Sequence, residues 1–235
     1  MQDTILTTTL LETGIVQSFQ NRLRETRQVL GVMYDHLVVN IEAIRTARIK
    51  SKPYLQMGVA YELFLKNIQD YLVKLDNWEV DFLRQMGVDL DMTDDPEQIE
   101  HDLKKLVDHY ERTYLLELLE ILDAIERLDT RWRNTQHVRP GRLAHRICST
   151  IQATLQSFQE NIQEYLETQY EIRRMTSDDL IGTYPPLDTT RIVFREDRNT
   201  SDDFVVSRII CHAYSRKGRL FRKASVGVIT RGANQ

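Results

Sequence analysis

The chain has 235 residues, 41% apolar and 28% charged, with only nine glycines and five prolines, enough for a sizeable core and too little punctuation for a largely disordered protein. No apolar run approaches the roughly 20 residues of a membrane helix, the acid-containing start "MQDTILTTTLLETG" does not read as a secretory signal, and Cys148 and Cys211 make no disulfide framework, so a cytoplasmic protein without membrane contact is expected. The net charge of −4 is uneven: seven Lys or Arg lie from Arg208 onward and no acid follows Asp203, which leaves 24 basic against 35 acidic residues, or −11, in residues 1–203.

The first apolar pattern runs from Val16 to Ala47 with alternating steps of three and four: Val16, Phe19, Leu23, Thr26, Leu30, Met33, Leu37, Asn40, Ile44, Ala47. This is a coiled-coil-like seam with Thr26 and Asn40 as polar interruptions. Pro53 stops it, because the residue before a proline is biased away from helix. The second pattern, Tyr61, Phe64, Ile68, Tyr71, Leu75, Trp78 and Phe82, is mostly aromatic and predicts a core-facing helix ending near Gly87, with Leu75, Trp78 and Phe82 buried against the first helix. In "TDDPEQIE" Asp95 can cap a third helix, Pro96 suits its first position, and Gln98 sits where a capping box places Glu or Gln. Its apolar stripe, Leu103 to Trp132, is widened by Leu115, Leu119 and Leu122, which predicts packing on two sides. A fourth pattern starts near "VRPGRL" and carries Leu143, Ile147, Ile151, Leu155, Phe158, Ile162, Tyr165 and Ile172.

Short connections favour antiparallel neighbours. The expected fold is mainly α: an elongated antiparallel bundle of about four long helices over 1–176. A linker follows over 177–190, "TYPPLDTT" carrying two prolines. Over 191–235 "RIVF", "FVVSRIICHAY" and "LFRKASVGVIT" are rich in β-branched and aromatic residues and predict a small basic β appendage, a hairpin or three strands turning at Gly218.

The chemical motifs are sparse. Glu97-x-x-Glu100 and Glu120-x-x-Asp123 resemble the acidic spacing of all-α nucleotide pyrophosphohydrolases, in which four carboxylates from two antiparallel helices hold magnesium on a triphosphate. Here one helix would carry both pairs, more than about 30 Å apart along its axis. "DLDMTDDPEQIE" resembles in part a calcium-binding EF-hand loop, with Asp89, Asp91, Thr93 and Glu100 at positions one, three, five and twelve. Asp94 stands where the sharp turn takes glycine, and Pro96 removes a backbone donor. His145 with Cys148, and Cys211 with His212, are four soft ligands without a zinc-site spacing. No phosphate loop, nucleophile elbow or His-Glu-x-x-His occurs. Neither metal nor cofactor is expected.

The basic end remains. Arg216, Lys217, Arg219, Phe221, Arg222 and Lys223 surround the turn, and strand alternation would put Arg219, Phe221 and Lys223 on one face. Such a hairpin suits docking on an acidic protein surface, of a partner or of a second copy. It also suits a phosphate backbone, with the aromatic stacking a base. The expectation is a non-enzymatic interaction or assembly subunit using this hairpin. A nucleic-acid-binding subunit is the alternative and a metal-dependent pyrophosphohydrolase-like enzyme the third.

Overall fold

A computed structural model describes residues 2–47, 51–90, 95–137, 142–175, 178–196 and 203–231, the side chains of 2–13, 87–90, 96 and 178 excepted. The chain is mainly helical with a small C-terminal β region, as its periodicity predicts. Four helices come first among the described residues: α1 Gln2–Thr46, α2 Lys52–Leu90, α3 Pro96–Thr135 and α4 Arg142–Tyr170. Six strands follow: β1 Ile172–Arg174, β2 Thr190–Arg195, β3 Phe204–Cys211, β4 Tyr214–Arg216, β5 Arg219–Arg222 and β6 Ala224–Thr230. Two compact units divide the chain, Met1–Leu155 and Gln156–Gln235, with the boundary inside α4.

In the first unit the predicted seam of α1 is buried from Phe19 to Ile44, with one change: Ile41 is in the core and Asn40 at its edge, donating to the His36 carbonyl. An α-helix turns every 3.6 residues, so a 3.5-residue seam drifts over four turns. Ion pairs fix α1 antiparallel to α2: Arg24 with Glu79, Arg27 with Asp76, Arg45 with Glu62. Gly58 lets the two helices approach; a Cβ there would sit 3.0 Å from Ile44 Cγ2. α2 begins ahead of its aromatic pattern and adds Tyr54 and Met57 to the core. Leu75 and Phe82 are buried as expected, whereas Trp78 is only half-buried, its ring edge-on to Tyr71 at 5.8 Å.

Asp95 caps α3 by accepting from the Glu97 N–H at 3.1 Å. The Gln98 side-chain amide nitrogen donates to Asp102 at 2.6 Å. The widened stripe of α3 does pack on two sides. Tyr110 meets Phe19 of α1 and Phe82 of α2, and the Tyr71 hydroxyl donates to the Tyr114 carbonyl at 2.7 Å. Glu111, 2% exposed, is held by the half-buried Arg22 of α1 at 2.6 Å, which compensates the buried carboxylate. The first half of α4 meets the C-terminal end of α3 and the start of α2. Gln152 donates to Asp129 at 3.0 Å, and the His145 ring lies 5.3 Å from Trp132 with the Tyr54 hydroxyl 3.3 Å from Nδ1. In the first turns of α4 the buried face is one residue on from the predicted one, with Ala144 and Cys148 buried and Leu143 48% exposed, and from there Ile151 and Leu155 are buried as predicted.

In the second unit α4 ends at Tyr170, Glu171 turns through φ +54°, and Ile172 is buried in a strand rather than on the helix. The predicted hairpin is present, longer than expected and bent. β3 pairs with β6, and β4 with β5, both antiparallel. Together the two pairings run from Phe204 opposite Thr230 to Arg216 opposite Arg219, with register shifts at Val206/Arg208, Ile209/Cys211 and Tyr214/Ser215. The bend falls at His212–Ala213 on one arm and Lys223 on the other, so each predicted long strand is two. β1 adds to β4 beyond the bend, and β2 adds parallel to β6 before it, giving sheets ordered β1-β4-β5 and β2-β6-β3.

Val226 and Val228 of the central strand form the small core with Phe204, Val206, Ala213 and Ala224. Residues 178–190, within the expected linker of 177–190, help to cover it. Leu180 packs against the core, Tyr184 stacks on Phe204 at 5.3 Å, and the Gly182 N–H donates to the Val206 carbonyl at 2.8 Å. Bulges flank Gly227 on both sides. On β2, Ile192 faces Val226 and Phe194 faces Gly227; on β3, Val206 faces Val228 and Arg208 faces Gly227. An extra residue flips the alternation. Phe194 therefore lands over Gly227, on the side opposite the valines, with the Arg208 guanidinium 4.3 Å above its ring.

Candidate functional site

The turn joining β4 to β5 is Lys217–Gly218, at φ +51° and +73°. Positive φ at both positions matches the right-handed twist of the two strands. Glycine adopts it freely; lysine does so at a cost of roughly 1–2 kcal/mol. The Lys217 N–H donates to the Glu171 carbonyl at 3.4 Å, tying the turn to the end of α4.

The six residues singled out from the sequence divide into two groups. Phe221 is 7% exposed and packs inward, so it does not share an accessible face with Arg219 and Lys223. Arg222 is half-buried, lies 5.0 Å over the Tyr214 ring and donates from Nε and Nη2 to the His212 carbonyl at 3.2 and 3.0 Å. That carbonyl belongs to the bend, so Arg222 holds the corner. Arg216 is half-buried, 5.9 Å over the Tyr170 ring. Lys217 and Arg219 are exposed at the tip beside Leu220, which is 40% exposed. Lys223 is exposed and donates to the Leu187 carbonyl at 3.0 Å.

Two arginines outside the expected group do similar work: Arg195 lies 4.6 Å over Phe204, and Arg208 lies over Phe194. Roughly one such stack per 70–80 residues is usual; four occur among the described residues of Gln156–Gln235. Much of the positive charge at this end is therefore spent inside the fold. The strand pattern of alternating Arg and aromatic residues was the available signal, but it does not say which ring meets which guanidinium.

The remaining motifs do not assemble. Glu97, Glu100, Glu120 and Asp123 all lie on α3, and Asp123 is 2% exposed. Of the EF-hand-like stretch, residues 91–94 and the side chains of 89 and 90 lie outside the described residues. His145 and Cys148 belong to the first unit, Cys211 and His212 to the second. Cys148 is fully buried, and that burial pushes its thiol up to about 11. Among the described residues no group of three or more His, Cys, Asp or Glu side chains is placed to hold a metal ion, and no helix is long and apolar enough to cross a membrane. Comparisons with protein-family models, curated proteins and solved structures return no match.

Proposed function

We propose that this protein is a non-enzymatic interaction subunit that docks a protein partner, or a second copy of itself, through the tip of its basic hairpin, in a reducing compartment that keeps both cysteines free. The observation that carries the reading is the division of labour among the cations. Arg216 and Arg222 stack behind the tip, while Lys217 of the tight two-residue turn and Arg219 and Leu220 at the start of β5 stand exposed. A tip already ordered in the free protein loses little side-chain and loop freedom on binding. Two cations beside an apolar side chain suit an acidic protein surface with a hydrophobic contact. The burial of Phe221 weighs against the nucleic-acid alternative, because it withdraws the ring that would stack a base.

The test is Lys217→Glu with Arg219→Glu, leaving Arg216 and Arg222 in place. Helical content and the unfolding midpoint should match the parent, while association, read by light scattering after size exclusion at low and high salt, should weaken and lose its salt dependence. Unchanged association would refute the docking role. Loss of co-purifying nucleic acid with association intact would put the nucleic-acid reading in its place.

A further inference from the structure

α2 carries a second pattern besides the one that faces the core. Its buried residues Tyr61, Phe64, Ile68, Tyr71 and Leu75 step by three and four, with α1 on one flank through Arg45–Glu62 and α3 on the other through Lys74–Glu117. Two residues on, about 200° around the helix, the same alternation recurs in Val59, Leu63, Lys66, Asp70, Val73, Asn77 and Val80. All of these are exposed, the four apolar ones by more than half. Apolar residues scattered singly are ordinary on a surface, but these recur at heptad spacing over about 30 Å of one face, the pattern of a helix-pairing seam. Lys66 and Asp70 lie near its middle, one turn apart. Neither side chain has an ion pair or hydrogen bond among the described residues, unlike Glu62 and Lys74 beside them.

Charge decides what can cover this face. A parallel second copy of the helix would put Lys66 on Lys66 and Asp70 on Asp70, which like charges oppose. In an antiparallel copy a two-fold axis between Lys66 and Asp70 sets the Lys66 of each chain on the Asp70 of the other. The same axis sets Leu63 on Val73, so an apolar layer closes each side of the two charge pairs, and sets Val59 on Asn77 beyond them. The seam is thus complementary to itself, as a two-fold contact requires. We propose that α2 pairs antiparallel with α2 of a second copy along Val59–Val80, about an axis between Lys66 and Asp70. This surface belongs to the first unit and does not rest on the docking role of the hairpin tip.

Cross-linking reads the register. In a Cys211→Ala background, where the buried Cys148 is the other thiol, full chains with Val59→Cys and full chains with Asn77→Cys are mixed and treated with a short bis-maleimide. The mixture should yield a linked dimer. Either variant alone should yield on the order of ten-fold less, because antiparallel pairing holds like positions about 27 Å apart. No linked dimer in the mixture, or equal linking of Val59→Cys alone, would overturn the proposal. Lys66→Asp, placed in both chains, gathers four carboxylates at the axis, and Asp70→Lys gathers four ammonium groups. Each should lower the yield by on the order of ten-fold, and the exchange Lys66→Asp with Asp70→Lys should restore it, helical content staying unchanged throughout. Indifference to the single changes, or an exchange that restores nothing, would equally sink the pairing. Repeating the cross-link with Lys217→Glu and Arg219→Glu separates this surface from the tip. A linked dimer retained there supports the α2 contact whatever becomes of the tip's docking role, and one lost with the tip charges would overturn it.

Discussion

Gly227 is the position at which the construction of the small sheet is most open to test. Replacing a strand glycine by alanine ordinarily gains roughly 0.5–1 kcal/mol, because the unfolded chain loses freedom. Here the sign should reverse. A Cβ on Gly227 would stand 2.5 Å from Phe194 Cζ and 2.8 Å from Cε1, where ordinary contacts are 3.4–4 Å. The ring has to leave, at the roughly 1–3 kcal/mol typical of overpacking, and the Arg208 stack, worth about 0.5–1 kcal/mol, goes with it. A net loss of about 2 kcal/mol follows for Gly227→Ala. Fluorescence would not report it, since Trp78 and Trp132 both belong to the first unit. Amide exchange of Val226 and Val228 reads the sheet directly, and about 2 kcal/mol corresponds to roughly thirty-fold less protection. In a Phe194→Ala background the obstacle is absent, so the same substitution should be neutral or mildly stabilising, a coupling of about 2 kcal/mol. Gly227→Ala as well protected as the parent would refute the packing of Phe194 on Gly227, and with it the role of the two bulges.

Phe82→Ala should cost about 3–5 kcal/mol and the half-buried Trp78→Ala about half as much or less; denaturant unfolding followed by helical circular dichroism checks the order, and equal costs would contradict the burial described. Cys148 should resist thiol reagents at pH 8 in the native protein while Cys211 labels first. Because folding raises the Cys148 thiol from 9.0 to about 11, its contribution to stability should be full below about pH 9 and fall as pH rises toward 11, a slope that Cys148→Ala should remove from the pH dependence of the unfolding midpoint. Arg222→Lys should keep the charge yet lose the two-nitrogen grip on the His212 carbonyl and the flat stack on Tyr214, lowering amide protection across the hairpin corner by about five- to ten-fold; full protection would show that charge alone suffices there.

The helices were legible because their burial is periodic. Phe19 to Leu37, the aromatic stripe of α2 and the double-width stripe of α3 each say which way a helix faces. The departures are local. Asn40 and Ile41 exchange places because a helix drifts against a strict heptad. Leu143 yields to Ala144 because a small residue can face the core at a helix start, where a rule that counts large apolar residues passes it over. The sheet was legible in composition and turn but not in topology. The strand signal in "FVVSRIICHAY" is continuous, and nothing local marks His212–Ala213 as a corner held by a guanidinium ten residues on. β2 pairs in parallel with a strand about 35 residues later, and periodicity carries no information on such pairings. Of the candidate site, the exposed tip cations were readable from the turn. The inward packing of Phe221 was not, because at a bend alternation no longer fixes which face is the core.

The basic end of the chain is accounted for mainly by its poverty of core. β6 offers two valines to a cluster otherwise made of Phe204, Val206 and two alanines, which is little for a sheet of this size. Aromatic rings outside that cluster, Phe194, Tyr214 and Tyr170, each carry a guanidinium over one face. A guanidinium is flat, weakly hydrated and attached to a three-carbon stem, so it covers a ring and still reaches carbonyls or water at its rim. Acidic residues could not replace it, since a carboxylate is repelled by the ring face. The same need therefore concentrates arginine and excludes acid along the strands, and an asymmetric charge follows without any ligand being involved. Only the cations that the rings do not use, Lys217 and Arg219 above all, are left for the docking role proposed here, and reversing every charge of the basic stretch at once would confuse the two roles.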